Sequence, residues 1–195
     1  MGTGTPAAST LPRTVALVGL MGAGKTAIGK RLAARLGLPF VDADHEIEAA
    51  AGCTIEEYFS RHGEAAFREG ERRVIARLIE RPVHILATGG GAFIDPTTRA
   101  LMRGRVFTIW LRAELDLLVA RTARRSNRPL LKQGEPREIL ARLIEARYPI
   151  YAEADLIIDS EDGPLDETVE HVLVAIERHV GRVLAKHPPL PEAKP

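Results

Sequence analysis

The run GLMGAGKT at residues 19–26 constrains this chain more than any other stretch. It follows an apolar run, precedes a helical pattern, and has the spacing G-x-x-x-x-G-K-T. Glycines let backbone N–H groups approach an anion closely, and a helix starting at the end of the loop aims its positive end at the same point. Such a loop works only between a buried strand and a helix, so it dictates a β–loop–α unit and an α/β fold. Residues 14–18 supply the strand and 25–36 the helix. Gly22, Ala23, Gly24, Lys25, Thr26 and Ala27 are the candidate ATP-binding residues. Lys25 reaches the outer phosphates, and the Thr26 hydroxyl ligates Mg²⁺.

Four further short apolar runs, at 39–41, 83–88, 106–111 and 156–158, alternate with helical patterns. That alternation predicts a parallel sheet with helices on both faces. T-x-x-E at 54–57 predicts a capping box opening a helix over 55–62, followed by helices over 64–81 and 114–125. Val169, Val172, Leu173, Ile176, Val180, Val183 and Leu184 mark the apolar stripe of a last helix. The stretch SNRPLLKQGEPR at 126–137 has neither helical nor strand periodicity and reads as a mobile lid. One domain over 13–186 is expected, with flexible tails at 1–12 and 187–195.

Composition narrows the function. A net charge of +1 gives no polybasic signal for nucleic acid or a membrane surface. No apolar run approaches the ~20 residues of a membrane span, and the N-terminus does not read as a secretion signal. One cysteine excludes a disulfide framework, and six scattered histidines argue against a zinc site. A cytoplasmic protein is expected. Of the 27 cationic side chains 22 are arginine, the residue suited to planar anions.

Two more features fall at the carboxyl ends of predicted strands, where ligands bind in a parallel α/β sheet. Asp42 and Asp44 share a side if the chain stays extended. One can then hold Mg²⁺ through water while the other accepts a hydrogen bond from a substrate hydroxyl; alternatively, one of them simply caps the next helix. Gly89, Gly90 and Gly91 suit either close approach of backbone to a ligand or a tight turn. Trp110 reads as packing, and Cys53 as a small buried residue.

Taken together, GLMGAGKT (19–26), FVDAD (40–44), GEAAFREGE (63–71), ATGGGA (87–92), NRPLL (127–131) and RYPIY (147–151) resemble the shikimate kinase family. The resemblance implies a three-layer α/β/α P-loop kinase fold with a five-stranded parallel sheet in the order 2-3-1-4-5. It also implies transfer of the ATP γ-phosphate to the 3-hydroxyl of shikimate by a monomer with one Mg²⁺ ion. Carried onto this sequence, Asp44, Arg68, Gly90 and Arg147 bind shikimate, and Thr26 and Asp42 handle the metal. Arg128 reaches the phosphates from the lid, and Arg121 flanks the adenine. Lys25, Asp44 and Arg128 form the catalytic set. Departing from good helix chemistry, Gly70 falls inside the F-R-x-x-E helix. Rival readings are another small-molecule P-loop kinase and a nucleotide-dependent switch; the latter needs neither the paired aspartates nor the substrate arginines.

Overall fold

The computed structural model describes residues 11–123, 134–181 and 184. All five predicted strands form, with ends shifted by one or two residues: β1 (Val15–Val18), β2 (Phe40–Asp42), β3 (Ile85–Ala87), β4 (Phe107–Arg112) and β5 (Leu156–Asp159). They build one parallel sheet in the order β2-β3-β1-β4-β5. The central strand pairs Val15 with Ile85 on one side and with Phe107 on the other. Each of its four side chains is buried. A strand covered on both faces has no polar side to show, which is why β1 reads as an unbroken apolar run.

Among the described residues seven helices connect and cover the strands: α1 (Lys25–Leu36), α2 (Ala43–Ala51), α3 (Ile55–Ile79), α4 (Pro96–Met102), α5 (Leu115–Ala123), α6 (Pro136–Tyr151) and α7 (Leu165–Val180). α1 rests on β3 and α7, α2 on α3, and α5 on α6. α3 opens on the predicted capping box, Thr54 Oγ1 accepting from Glu57 N while Glu57 Oε2 accepts from Thr54 N. The two helices expected over 55–62 and 64–81 form as the two segments of α3, separated by a kink at Gly63, whose backbone (φ 77°, ψ 176°) is not helical. α4 is unforeseen; Pro96 begins it, and Asp95 caps it by accepting from Thr98 N at 2.8 Å. Pro136 and Arg137, expected in the lid, are the first residues of α6, and residues 126–133 lie outside the described residues. Leu11, expected in the N-terminal tail, is buried in the core.

The strand order positions the site. The chain leaves β1 toward β2 and leaves the neighbouring β3 toward β4. Adjacent strands whose connections diverge open a crevice at their carboxyl ends. The loops carrying 19–24 and 89–91 border that crevice.

Candidate active site

The loop after β1 is held from below. A Cβ on Gly19 (φ 135°) would come within 2.7 Å of the Leu111 carbonyl oxygen, so the loop can lie this close to β4 only with glycine there. Gly24 caps α1 without a side-chain hydrogen bond to its first turn, leaving the end amides of the helix open to an anion. Lys25 Nζ donates to the carbonyls of Gly19 at 2.8 Å and Leu20 at 2.9 Å, so the ammonium sits within the loop's own curve.

Thr26 Oγ1 donates to Asp42 Oδ2 at 3.0 Å, joining the start of α1 to the end of β2. The other carboxylate oxygen of Asp42 accepts from Asp44 N at 3.1 Å and caps α2. The capping reading of Asp42 is therefore realised, and its second oxygen stays beside the Thr26 hydroxyl. The alternation argument for Asp44 fails, because the chain turns helical at Ala43. Asp44 reaches the crevice from the first turn of α2 instead, and a Cβ on Gly89 would meet its Oδ1 at 2.6 Å. A threonine hydroxyl beside one carboxylate is a hard-oxygen pair with few protein ligands. That suits Mg²⁺, which keeps several waters and binds phosphates alongside one or two carboxylates. No larger group of His, Cys, Asp and Glu side chains suited to a metal exists among the described residues.

The three glycines after β3 gather the remaining groups. The guanidinium of Arg68 lies against Gly91, where a Cβ would come within 2.6 Å of its Cζ. Arg147 Nη1 donates to the Gly90 carbonyl at 3.2 Å. Arg68 from α3 and Arg147 from α6 thus reach neighbouring residues of one loop. Arg68 donates to Glu71 at 2.7 Å and, more weakly, to Glu64. Glu71 is buried, and burial pushes its carboxyl up against the pull of Arg68. Tyr151, also buried, donates its hydroxyl to the Gly90 carbonyl.

Glu71 and Tyr151 had no role assigned from sequence. The available signal was spacing: Glu71 is three residues beyond Arg68, and Tyr151 four beyond Arg147, which puts each on its arginine's helix face.

Arg121 spans from the loop after β1 to the segment after β5. Its Nη1 donates to Ser160 Oγ at 2.9 Å and reaches the Gly22 carbonyl at 3.4 Å; Nη2 donates to the Glu161 carbonyl at 2.7 Å. Beside it, a cavity of about 610 Å³ opens between α5 and the segment after β5, lined by Leu117, Ala120, Ser160 and Asp162 among others. Arg128 lies outside the described residues. Trp110 packs as expected, buried with its ring edge-on to Tyr148 at 4.8 Å. Cys53 is half-buried rather than fully enclosed. No described helix is long and apolar enough to cross a membrane.

A family model described as shikimate kinase matches residues 21–177. The chain is 63% identical over 161 residues to a shikimate kinase of Paramagnetospirillum magneticum, covering 83% of each protein. It is 52% identical over 166 residues to one from Caulobacter vibrioides, covering 85% of this chain and 83% of that one. Among solved structures, the shikimate kinase from Acinetobacter baumannii in complex with shikimate superposes with a TM-score of 0.82 at 38% identity, over 86% of this chain and 94% of the other.

Proposed function

The chain belongs to the shikimate kinase family, and from that membership and the site we infer that it transfers the γ-phosphate of ATP to the 3-hydroxyl of shikimate, giving shikimate 3-phosphate and ADP. The observation that carries this reading is the convergence of Arg68 and Arg147 on adjacent glycines, beside Asp44 and next to the phosphate-binding loop. Two guanidinium forks can hold one carboxylate in a fixed plane, and a nearby aspartate can take a ring hydroxyl. Shikimate, a small ring bearing one carboxylate and three hydroxyls, presents both.

In this reading Arg68 and Arg147 bind the carboxylate, the Gly90 backbone lies along the ring, and Asp44 accepts from a ring hydroxyl and turns the 3-hydroxyl toward the phosphate. The amides of Gly22 to Ala27 and the Lys25 ammonium hold the β- and γ-phosphates; Lys25 exchanges its carbonyl partners for phosphate oxygens. Thr26 and Asp42 hold Mg²⁺, which when bound neutralises phosphate charge. Arg121 lies on the adenine side, and Arg128 brings further positive charge from a lid spanning about 126–135. Phosphoryl transfer has a loose transition state, so aligning the acceptor and neutralising charge matter more than a strong base. A lid that closes over both substrates also keeps water from taking the phosphate. The reading takes ATP and shikimate as the partners of a monomer working in the cytoplasm. Incubation with ATP and shikimate, followed by NMR of the product, tests the assignment: phosphorus coupling to the proton on carbon 3 supports it, and coupling to another ring proton contradicts it.

A further inference from the structure

The carbonyl of Gly90 accepts two donors from α6. One is Arg147 Nη1 at 3.2 Å; the other is the Tyr151 hydroxyl, one turn further along. Tyr151 is 0% exposed, so it touches no ligand in the crevice. Its ring lies 5.9 Å from that of Trp110, whose Cδ1 faces Gly19. Arg147 acts on the tyrosine by its charge and by a hydrogen bond, while burial pushes the phenol up to about 12, so the hydroxyl keeps its proton and stays a donor across the working pH range. A second tyrosine on the same helix, Tyr148, donates to the Ala113 carbonyl after β4 and has no contact with the glycine loop among its hydrogen bonds.

Glycine has no Cβ to restrict its dihedral angles, so the orientation of the Gly90–Gly91 peptide depends on what its carbonyl bonds to. If Arg147 alone held that carbonyl, a ligand carboxylate drawing on Arg147 would loosen the peptide when its position matters most. A second donor, buried and away from the ligand, removes that conflict.

Resting on the proposed shikimate site, we propose that Tyr151 is a positioning residue for acceptor binding: its hydroxyl fixes the Gly90 carbonyl, leaving Arg147 free to engage the substrate carboxylate without releasing the glycine loop. The dependence is confined to the acceptor side, because ATP is held by the other loop and by α1.

The test compares Tyr151→Phe with Tyr148→Phe, assayed below the melting temperature of the less stable variant. Both lose one hydrogen-bonded hydroxyl from the same helix. Tyr151→Phe should raise KM for shikimate about tenfold, the effect of one lost hydrogen bond to a buried group, with KM for ATP within about twofold of the wild type. Tyr148→Phe should leave KM for shikimate unchanged. Equal shifts in KM for shikimate in the two variants, or an unchanged value in Tyr151→Phe, overturn the proposal. If the wild-type protein fails to turn over shikimate at all, it is the proposed function that fails.

Discussion

Arg68 donates to Glu71 at 2.7 Å across one turn of α3, and the carboxylate is only 2% exposed while the arginine faces the crevice. The pair makes a fixed mount: Glu71 is anchored in the core, and Arg68 projects from it with its guanidinium laid against Gly91. Removing one member of a buried pair leaves the other uncompensated, which costs about 3–5 kcal/mol. Glu71→Ala should therefore lower the unfolding free energy by about 3 kcal/mol, the low end because Arg68 keeps some water contact. It should also weaken acceptor binding. Denaturant unfolding with a shikimate titration measures both, and an unchanged affinity would show that Arg68 needs no mount.

The two arginines should separate the ligands. Arg68→Ala and Arg147→Ala are each expected to weaken shikimate binding by about 2–5 kcal/mol while leaving ATP binding nearly intact, since truncating one partner of a buried charge pair strands the other. Arg68→Lys should also fail, because an ammonium cannot reproduce the planar fork. Calorimetric titration with each ligand checks this; equal losses for both would point to a damaged fold.

Lys25→Met should fold and lose kcat by about 10²–10³, the effect of deleting a group aimed at transition-state charge. The lysine now bonds two loop carbonyls, so a small fall in melting temperature is also expected. Near-normal kcat in the folded variant would remove Lys25 from the mechanism. Arg128→Ala should likewise lower kcat with little effect on shikimate affinity.

Two glycines should respond in opposite ways to one added methyl. In the interior of α3, a Cβ on Gly70 meets nothing nearer than the Tyr58 hydroxyl at 4.0 Å. Gly70→Ala should stabilise the protein by about 1 kcal/mol, raising the melting temperature by roughly 2–4 °C. Gly91→Ala should instead push the Arg68 guanidinium aside and raise KM for shikimate.

Far from the crevice, His84 should set part of the acid sensitivity. It is buried; Nδ1 contacts the Pro82 carbonyl at 2.8 Å and the Thr14 hydroxyl at 3.2 Å, and Nε2 is buried without a partner among the described residues. Burial, reinforced by the charge of Arg81, holds its pKa below the ordinary 6.5. Below 6.5 the unfolded chain takes up a proton that the folded one refuses, so stability falls as the pH drops from there toward the folded pKa. Above 6.5 both forms are neutral and the contribution vanishes. Denaturation midpoints on either side of that pH should show a smaller acid loss in His84→Gln; an identical loss would assign it to carboxylates elsewhere.

What the sequence made legible follows from range. Residues 19–26 act through local backbone geometry, so spacing alone placed Lys25 and Thr26 at a helix start beside a strand end. Apolar runs located all five strands, because strands buried on both faces, as β1, β3 and most of β4 are, write themselves as continuous hydrophobicity, and the partly buried edge strands β2 and β5 keep short apolar runs. Asp44 was misjudged in its local geometry: the alternation rule needs extended chain, and the Asp42 cap starts a helix one residue later. α4, seven residues long with two threonines, offered no periodicity to read. The contacts of Gly90 with Arg147 and Tyr151 join positions 57 and 61 residues apart, and only the packed fold brings them together.

The central claim is tested most directly by ADP release from ATP and Mg²⁺, followed with and without shikimate. The account predicts rapid release that saturates with shikimate and falls to a slow background in its absence, since the acceptor site must be filled before the phosphate is transferred. ADP release at the same rate in both cases would contradict it.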